Sequence, residues 1–334
     1  MTKLLEKRDA IYGFCTVWVI LFHVFRRISM PYIPVVTNIV GIGNMAVDVF
    51  FFLSGLSLCL SAEKHSYLEN GWKDYYQKRC LRILLPYAII CIPYYLWAAV
   101  EESSGRLVHR ALKFFADLFS ASFWLKGTQT TWFVYGIMLF YILFPLIYRI
   151  VRKKKPLWNA AVLVGTAAFA VLASYAPLLK NGVVVWARLP VFYAGVMTGF
   201  LEEDRPMGKW MISVAAIVLL AVGAVTSASE LSETFTVRPV FRLLLYFPMT
   251  LSLLIIFREV PYHGKLLGTI GSVSLEMYLI HVTLLHPIKR YGIMASTGYW
   301  LYLILPVISL ILSLAVRQLE EGIRRLQGLG TEQK

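Results

Sequence analysis

The chain has 334 residues, of which 58% are hydrophobic, 14% aromatic and only 16% charged, with a positive mean hydropathy. A soluble domain carries nearer a quarter of charged residues, so this composition excludes a soluble globular enzyme and points to a polytopic membrane protein. The net charge of +14 comes from Lys and Arg scattered through short loops, a pattern of topology signals and lipid contacts rather than of a nucleic-acid surface.

Apolar windows predict ten spans, near 10–28, 41–62, 81–100, 130–150, 156–175, 183–201, 209–227, 239–257, 267–287 and 296–317. The expected fold class is therefore all-α: one polytopic helix bundle over residues 1–334, with about ten transmembrane helices. Arg26-Arg27 follow the first run and no small-residue cleavage site does, so that run reads as a span rather than a removable signal. Ten spans put both termini on one side. With the N-terminus inside, the inner segments hold the larger share of the 33 Lys and Arg, so both ends are expected in the cytoplasm. The tails are too short to fold alone, and any chemistry is expected within the bundle. Between spans three and four, residues 101–129 carry Leu107, Leu112, Phe115, Leu118, Phe119 and Phe123 near helical spacing, which predicts an amphipathic helix at the outer interface. The four cysteines (Cys15, Cys59, Cys80, Cys91) lack Cys-x-x-Cys spacing, so neither a metal site nor a disulfide framework is expected.

Polar residues inside the spans are the candidates for function, because an ionisable group in a bilayer is costly and usually faces the protein interior. The first span runs from Asp9-Ala10-Ile11-Tyr12-Gly13 to His23, with Asp9 and His23 four turns apart and nearly on one helix face. In the second, Val47-Asp48-Val49-Phe50-Phe51-Phe52-Leu53-Ser54-Gly55 holds an acid and a Ser-Gly pair. No strand-to-helix elbow surrounds Ser54, so acyl-serine chemistry is not expected there. Arg79 and Arg82 share a face at the mouth of span three, where two guanidinium forks suit phosphate or topology equally. Arg152 to Lys155 form a further basic cluster. Trp132 heads the fourth span, Arg188-Leu189-Pro190 opens the sixth, and Ser274, Tyr278 and His281 fall on one face of the ninth, with Glu276 pointing elsewhere. Structural hydrogen bonding explains each residue singly. Two intramembrane histidines in one bundle instead suit proton transfer, in an enzyme or a transporter alike.

Taken together, these runs resemble the acyltransferase 3 family of integral membrane acyltransferases over roughly residues 8–317. The resemblance is carried by Asp9-x-x-x-Gly13 with His23, by Val47 to Gly55, by Arg79-x-x-Arg82-Ile83-x-x-Pro86-Tyr87, by Trp132-Phe133, by Arg188 to Gly195, and by Ser274-x-x-x-Tyr278-Leu279-x-His281. It implies transfer of an acyl group, acetyl or succinyl, from cytoplasmic acyl-coenzyme A to a hydroxyl of a carbohydrate or cell-envelope glycan. Acyl-coenzyme A would be a co-substrate, and no permanently bound cofactor is implied. The implied partners are that donor, a glycan acceptor and the lipid bilayer of the cell membrane, with no nucleic acid. His23 is then the expected general base, with His281 or Tyr278 orienting the acceptor or stabilising the oxyanion. Asp9 supports the cytoplasmic helix end, pairing with Arg79 or Arg82, which also draw the donor phosphates. Asp48, Ser54, Trp132, Arg188 and Glu276 are expected on the substrate side. Similar proteins carry an Arg eleven residues before the histidine, where this chain has Tyr12. Export of a polysaccharide or glycolipid, or a catalytically degenerate bundle, are the alternative readings.

Overall fold

The computed structural model describes residues 2–28, 33, 36–101, 106–128, 130–152, 155–200, 213–215, 217–218, 221, 245–259 and 264–326, and every regular element among them is helical. The principal helices are α1 (Arg8–Phe25), α2 (Ala46–His65), α3 (Lys73–Glu101), α4 (Leu107–Leu118), α5 (Trp132–Arg152) and α6 (Pro156–Tyr175), followed by α7 (Leu189–Gly199), α8 (Phe247–Glu259), α9 (Lys265–Ser272), α10 (Ser274–Arg290) and α11 (Leu301–Leu326). The chain is an all-α polytopic membrane bundle. Among the described residues, seven segments are long and apolar enough to cross a membrane, and α9 with α10 forms an eighth that is bent by 70°. Of the remaining expected spans, 209–227 lies mostly outside the described residues, and 239–257 is described from residue 245 on.

Most expected spans coincide with helices. The ninth is corrected: the straight span expected at 267–287 is two helices meeting at Val273. Gly271-Ser272-Val273-Ser274 is a run of small and β-branched residues with weak helix propensity, so the break falls where continuing the helix gains least. The linker at 101–129 does form a helix, α4. Its Leu107, Leu112 and Phe115, with Phe119 just past its end, are exposed, while Asp117 is buried and held by Lys113 at 2.6 Å. Most of the apolar stripe therefore faces away from the bundle, as a lipid-facing helix requires, but Phe123, expected on the same stripe, lies beyond α4 and is buried.

Two seams of glycine hold the bundle together. Where α1 crosses α9, a Cβ on Gly13 would run into the Leu267 carbonyl oxygen and one on Gly271 into the Asp9 carbonyl oxygen. Where α2 crosses α7, a Cβ on Gly55 would strike the Phe192 carbonyl and one on Gly195 the Phe52 carbonyl. In a bilayer, lipid is as apolar as leucine, so helices associate through close backbone approach, and glycine permits it. Further contacts fix the direction of the helices. At the Arg8 side of the bundle, Lys7 Nζ donates to the Arg258 carbonyl (2.8 Å) and Arg317 to Ser272 Oγ (2.7 Å). At the opposite side, where α1 ends, Tyr94 bonds His286 (2.8 Å) and Arg290 pairs with Glu101 (3.1 Å).

Candidate functional site

The first seam decides where the two intramembrane histidines go. Gly13 and Gly271 lock α9 against the first half of α1, and the bend at Val273 then redirects α10 alongside the second half. Two turns into α10, His281 meets His23 in the last turn of α1. His23 Nδ1 stands 2.8 Å from His281 Nε2, with ring centroids 5.0 Å apart and planes within 27°. The other nitrogen of His281, Nδ1, lies 2.9 Å from the Met277 carbonyl oxygen. His281 is fully buried, at 0% exposure, whereas His23 is only half-buried. Arg27, one turn beyond His23 and exposed, donates to the His23 carbonyl (2.9 Å) and lies within electrostatic reach of both imidazoles.

An aromatic wall leads to this pair. Tyr278 sets its ring edge-on to His281 (5.6 Å) and to Phe133 (5.1 Å); Phe133 meets Phe50 (5.9 Å), and Phe50 meets Tyr12 (5.1 Å). Tyr12, Phe50 and Phe133 are all half-buried. The wall therefore runs back from the histidines along α1 toward the Arg8 side. There the Tyr12 hydroxyl meets Ser54 and lies within electrostatic reach of Arg8 and Arg82. Two cations thus lie within electrostatic reach of the position at which Tyr12 itself brings none. The Tyr278 hydroxyl is engaged by long bonds, donating to the Thr130 carbonyl and accepting from Phe133 N–H, each 3.4 Å.

The remaining sequence candidates fall into separate places. Asp48 and Arg188 meet each other at 3.3 Å, at 0% and 2% exposure, with the guanidinium 4.4 Å above the Trp132 ring and a further bond to the Val184 carbonyl. All three were expected on the substrate side; here they join α2, α5 and the start of α7 through a sealed ion pair. His281 or Tyr278 was expected to orient the acceptor or stabilise the oxyanion; His281 is fully buried and Tyr278 is buried beside it. Asp9 pairs with its neighbour Arg8 (3.2 Å) and lines a cleft of about 250 Å³ with Lys7, Gly264 and Lys265, about 21 Å along α1 from His23. Arg79 reaches Ser61 (3.4 Å). Glu276 lies in electrostatic contact with Glu320 of α11, away from the histidine pair. Of the sequence candidates, the structure gathers His23, His281 and Tyr278 in one place, Asp48, Trp132 and Arg188 in a second, and Ser54 with Arg82 around Tyr12 in a third.

Four contributors were not among the sequence candidates. Arg27 carried a legible signal, since it stands four residues after His23 and so one turn above it. Phe50 and Phe133 were quoted only as parts of apolar runs. The Met277 carbonyl had no signal, because its engagement follows from the rotamer of His281. A family model described as an acyltransferase domain matches residues 9–317, nearly the whole chain. No curated protein and no solved structure matches it.

Proposed function

This chain belongs to the acyltransferase 3 family of membrane acyltransferases, and from that premise we propose that His23 is the general base for transfer of an acyl group from acyl-coenzyme A to a hydroxyl. The observation that carries this reading is the histidine pair itself: a half-buried imidazole backed by a sealed one at 2.8 Å, inside a membrane bundle. In this reading the protein sits in the cell membrane with both termini in the cytoplasm, so the Arg8 side is cytoplasmic and the His23 side faces outward.

Arg8 and Arg82 would then draw the donor's phosphates at the cytoplasmic mouth, where guanidinium groups form strong charge-assisted bonds to phosphate oxygens. From there the wall of Tyr12, Phe50, Phe133 and Tyr278 offers an apolar guide for a flexible thioester arm toward His23. His23 takes the proton of the acceptor hydroxyl as its oxygen bonds the thioester carbonyl carbon. It returns that proton to sulfur as the carbon–sulfur bond breaks, so coenzyme A leaves as the thiol and the base is regenerated. The acceptor assigned is a hydroxyl of a carbohydrate or cell-envelope glycan, and the acyl group acetyl or succinyl.

The experiment supplies purified protein in lipid nanodiscs with radiolabelled acetyl- or succinyl-coenzyme A and envelope glycan, and compares wild type with His23→Ala. General-base catalysis typically contributes about 10²–10⁴-fold, and a loss of that size is expected for the variant. Equal incorporation by the two proteins removes His23 from the chemistry. Incorporation by neither, with coenzyme A still raising the unfolding temperature, supports a degenerate binder instead.

A further inference from the structure

The donor and acceptor pattern around the histidines assigns them unequal work. A carbonyl oxygen only accepts hydrogen bonds, so the 2.9 Å contact to Met277 requires a proton on His281 Nδ1. In the neutral ring the other nitrogen, Nε2, then carries a lone pair. His23 Nδ1 lies 2.8 Å from that lone pair and must donate to it. The proton of neutral His23 is thereby fixed on Nδ1, and its free lone pair on Nε2. We infer that His281 is a positioning residue: through the chain Met277 carbonyl, His281, His23, it fixes the tautomer in which His23 Nε2 is the proton-accepting atom.

This rests on the reading of His23 as the base and deepens it to one atom. His281 is fully buried and cannot reach a substrate, so its effect passes through His23. When His23 Nε2 gains the acceptor's proton, the ring becomes an imidazolium whose Nδ1–H remains bonded to His281 Nε2, and no proton needs to leave the pair. The same proton then passes from Nε2 to the departing sulfur. Sealed behind α1, the second imidazole also keeps the His23 ring from turning, which holds Nε2 in one direction. Where a buried partner fixes the tautomer of a catalytic histidine, its loss costs orders of magnitude in turnover while the site stays assembled.

Two substitutions separate the bonds of His281. In His281→Asn the short amide can still donate to the Met277 carbonyl but cannot reach His23; in His281→Gln the longer side chain can place an amide oxygen near the former Nε2 and accept from His23 Nδ1. The expected result in nanodiscs is a loss of about 10²-fold or more in kcat for the Asn variant, with both KM values within about twofold of wild type. The Gln variant should retain activity to within about tenfold of wild type. Equal losses in the two variants would overturn the assignment and reduce His281 to a packing residue, and so would wild-type turnover in Asn. His23→Ala measured alongside keeps the outcomes apart. If it is inactive while both His281 variants turn over normally, only the present inference falls; if it too is active, the reading of His23 as base falls with it. Should the Asn variant unfold in detergent, a Gln variant with kcat as low as that of His23→Ala would overturn the assignment, and one near wild type would sustain it.

Discussion

The two glycine seams end in opposite electrostatic solutions. At the first, α1 against α9 and α10, the polar groups brought together are neutral-capable imidazoles, one of them only half-buried. At the second, α2 against α7, they are Asp48 and Arg188, both sealed. An ion pair shut away from water gains Coulomb energy but loses two hydration shells, and it tolerates no missing partner. An imidazole pair has far less hydration to lose, and one ring can remain open without leaving an uncompensated charge. The same packing device thus builds a brace in one place and the proposed reactive site in the other. What separates them is whether the polar group at the end of the seam must be charged.

That comparison can be broken most sharply by truncating one partner of each pair. Asp48→Ala leaves a buried guanidinium without its carboxylate and should destabilise the protein by about 3–5 kcal/mol. His23→Ala strands no charge, only an unpaired nitrogen on buried His281, so it should cost less, about 1–3 kcal/mol, while lowering transfer about 10²–10⁴-fold. Thermal unfolding in detergent, followed by tryptophan fluorescence and paired with the acyl-transfer assay, reads both; a stable Asp48→Ala protein would show that the sealed pair is no brace.

The seams themselves give the next effect. Gly271→Ala and Gly195→Ala each force a methyl group against a facing backbone carbonyl, an overpacking that costs about 1–3 kcal/mol. The stability losses should be similar, but only Gly271→Ala should depress transfer strongly, about tenfold or more, because it displaces the helix carrying His281. Comparable kinetic loss in both variants would mean that the site depends on the whole bundle and not on the first seam.

Replacing both partners of the ion pair should matter less than removing one. Asp48→Leu combined with Arg188→Met exchanges two desolvated charges for apolar bulk and should lie within about 1 kcal/mol of wild type. A double variant as unstable as Asp48→Ala would reveal that the Trp132 stack or the Val184 carbonyl bond carries the brace.

Tyr278→Phe should produce the smallest change. It keeps the ring against His281 and Phe133 and removes only two hydrogen bonds of 3.4 Å, longer than good ones, so transfer within about threefold of wild type and a loss under about 1 kcal/mol are expected. A kinetic collapse would return the Tyr278 hydroxyl to the chemistry as an oxyanion donor.

Much of the architecture could be read from apolar run lengths alone. The helix over 8–25 was expected at 10–28, and that over 132–152 at 130–150, because twenty apolar residues in lipid must satisfy their backbone internally. The bend in the ninth span was missed because a hydropathy window senses apolarity and not direction. Gly271-Ser272-Val273-Ser274 nevertheless held the cue. Within the site, His23 and the face shared by Tyr278 and His281 were legible, since fixed helical geometry converts spacing into position. That Asp48 answers Arg188 was not legible, for 140 residues of chain separate them and nothing in either segment names the other.

By itself, the order of residues determined that this is a helical membrane bundle and which few polar side chains stand inside it. Cost decides both: unsatisfied backbone and stray charge are expensive in hydrocarbon, so each leaves a mark in the sequence. Only the tertiary structure decided which of those side chains became partners. Close approach of backbones at Gly13 and Gly271, together with one bend, set His281 behind His23, while the crossing at Gly55 and Gly195 closed Asp48 onto Arg188. Contacts of that kind depend on distances between helices, which no local pattern of residues encodes.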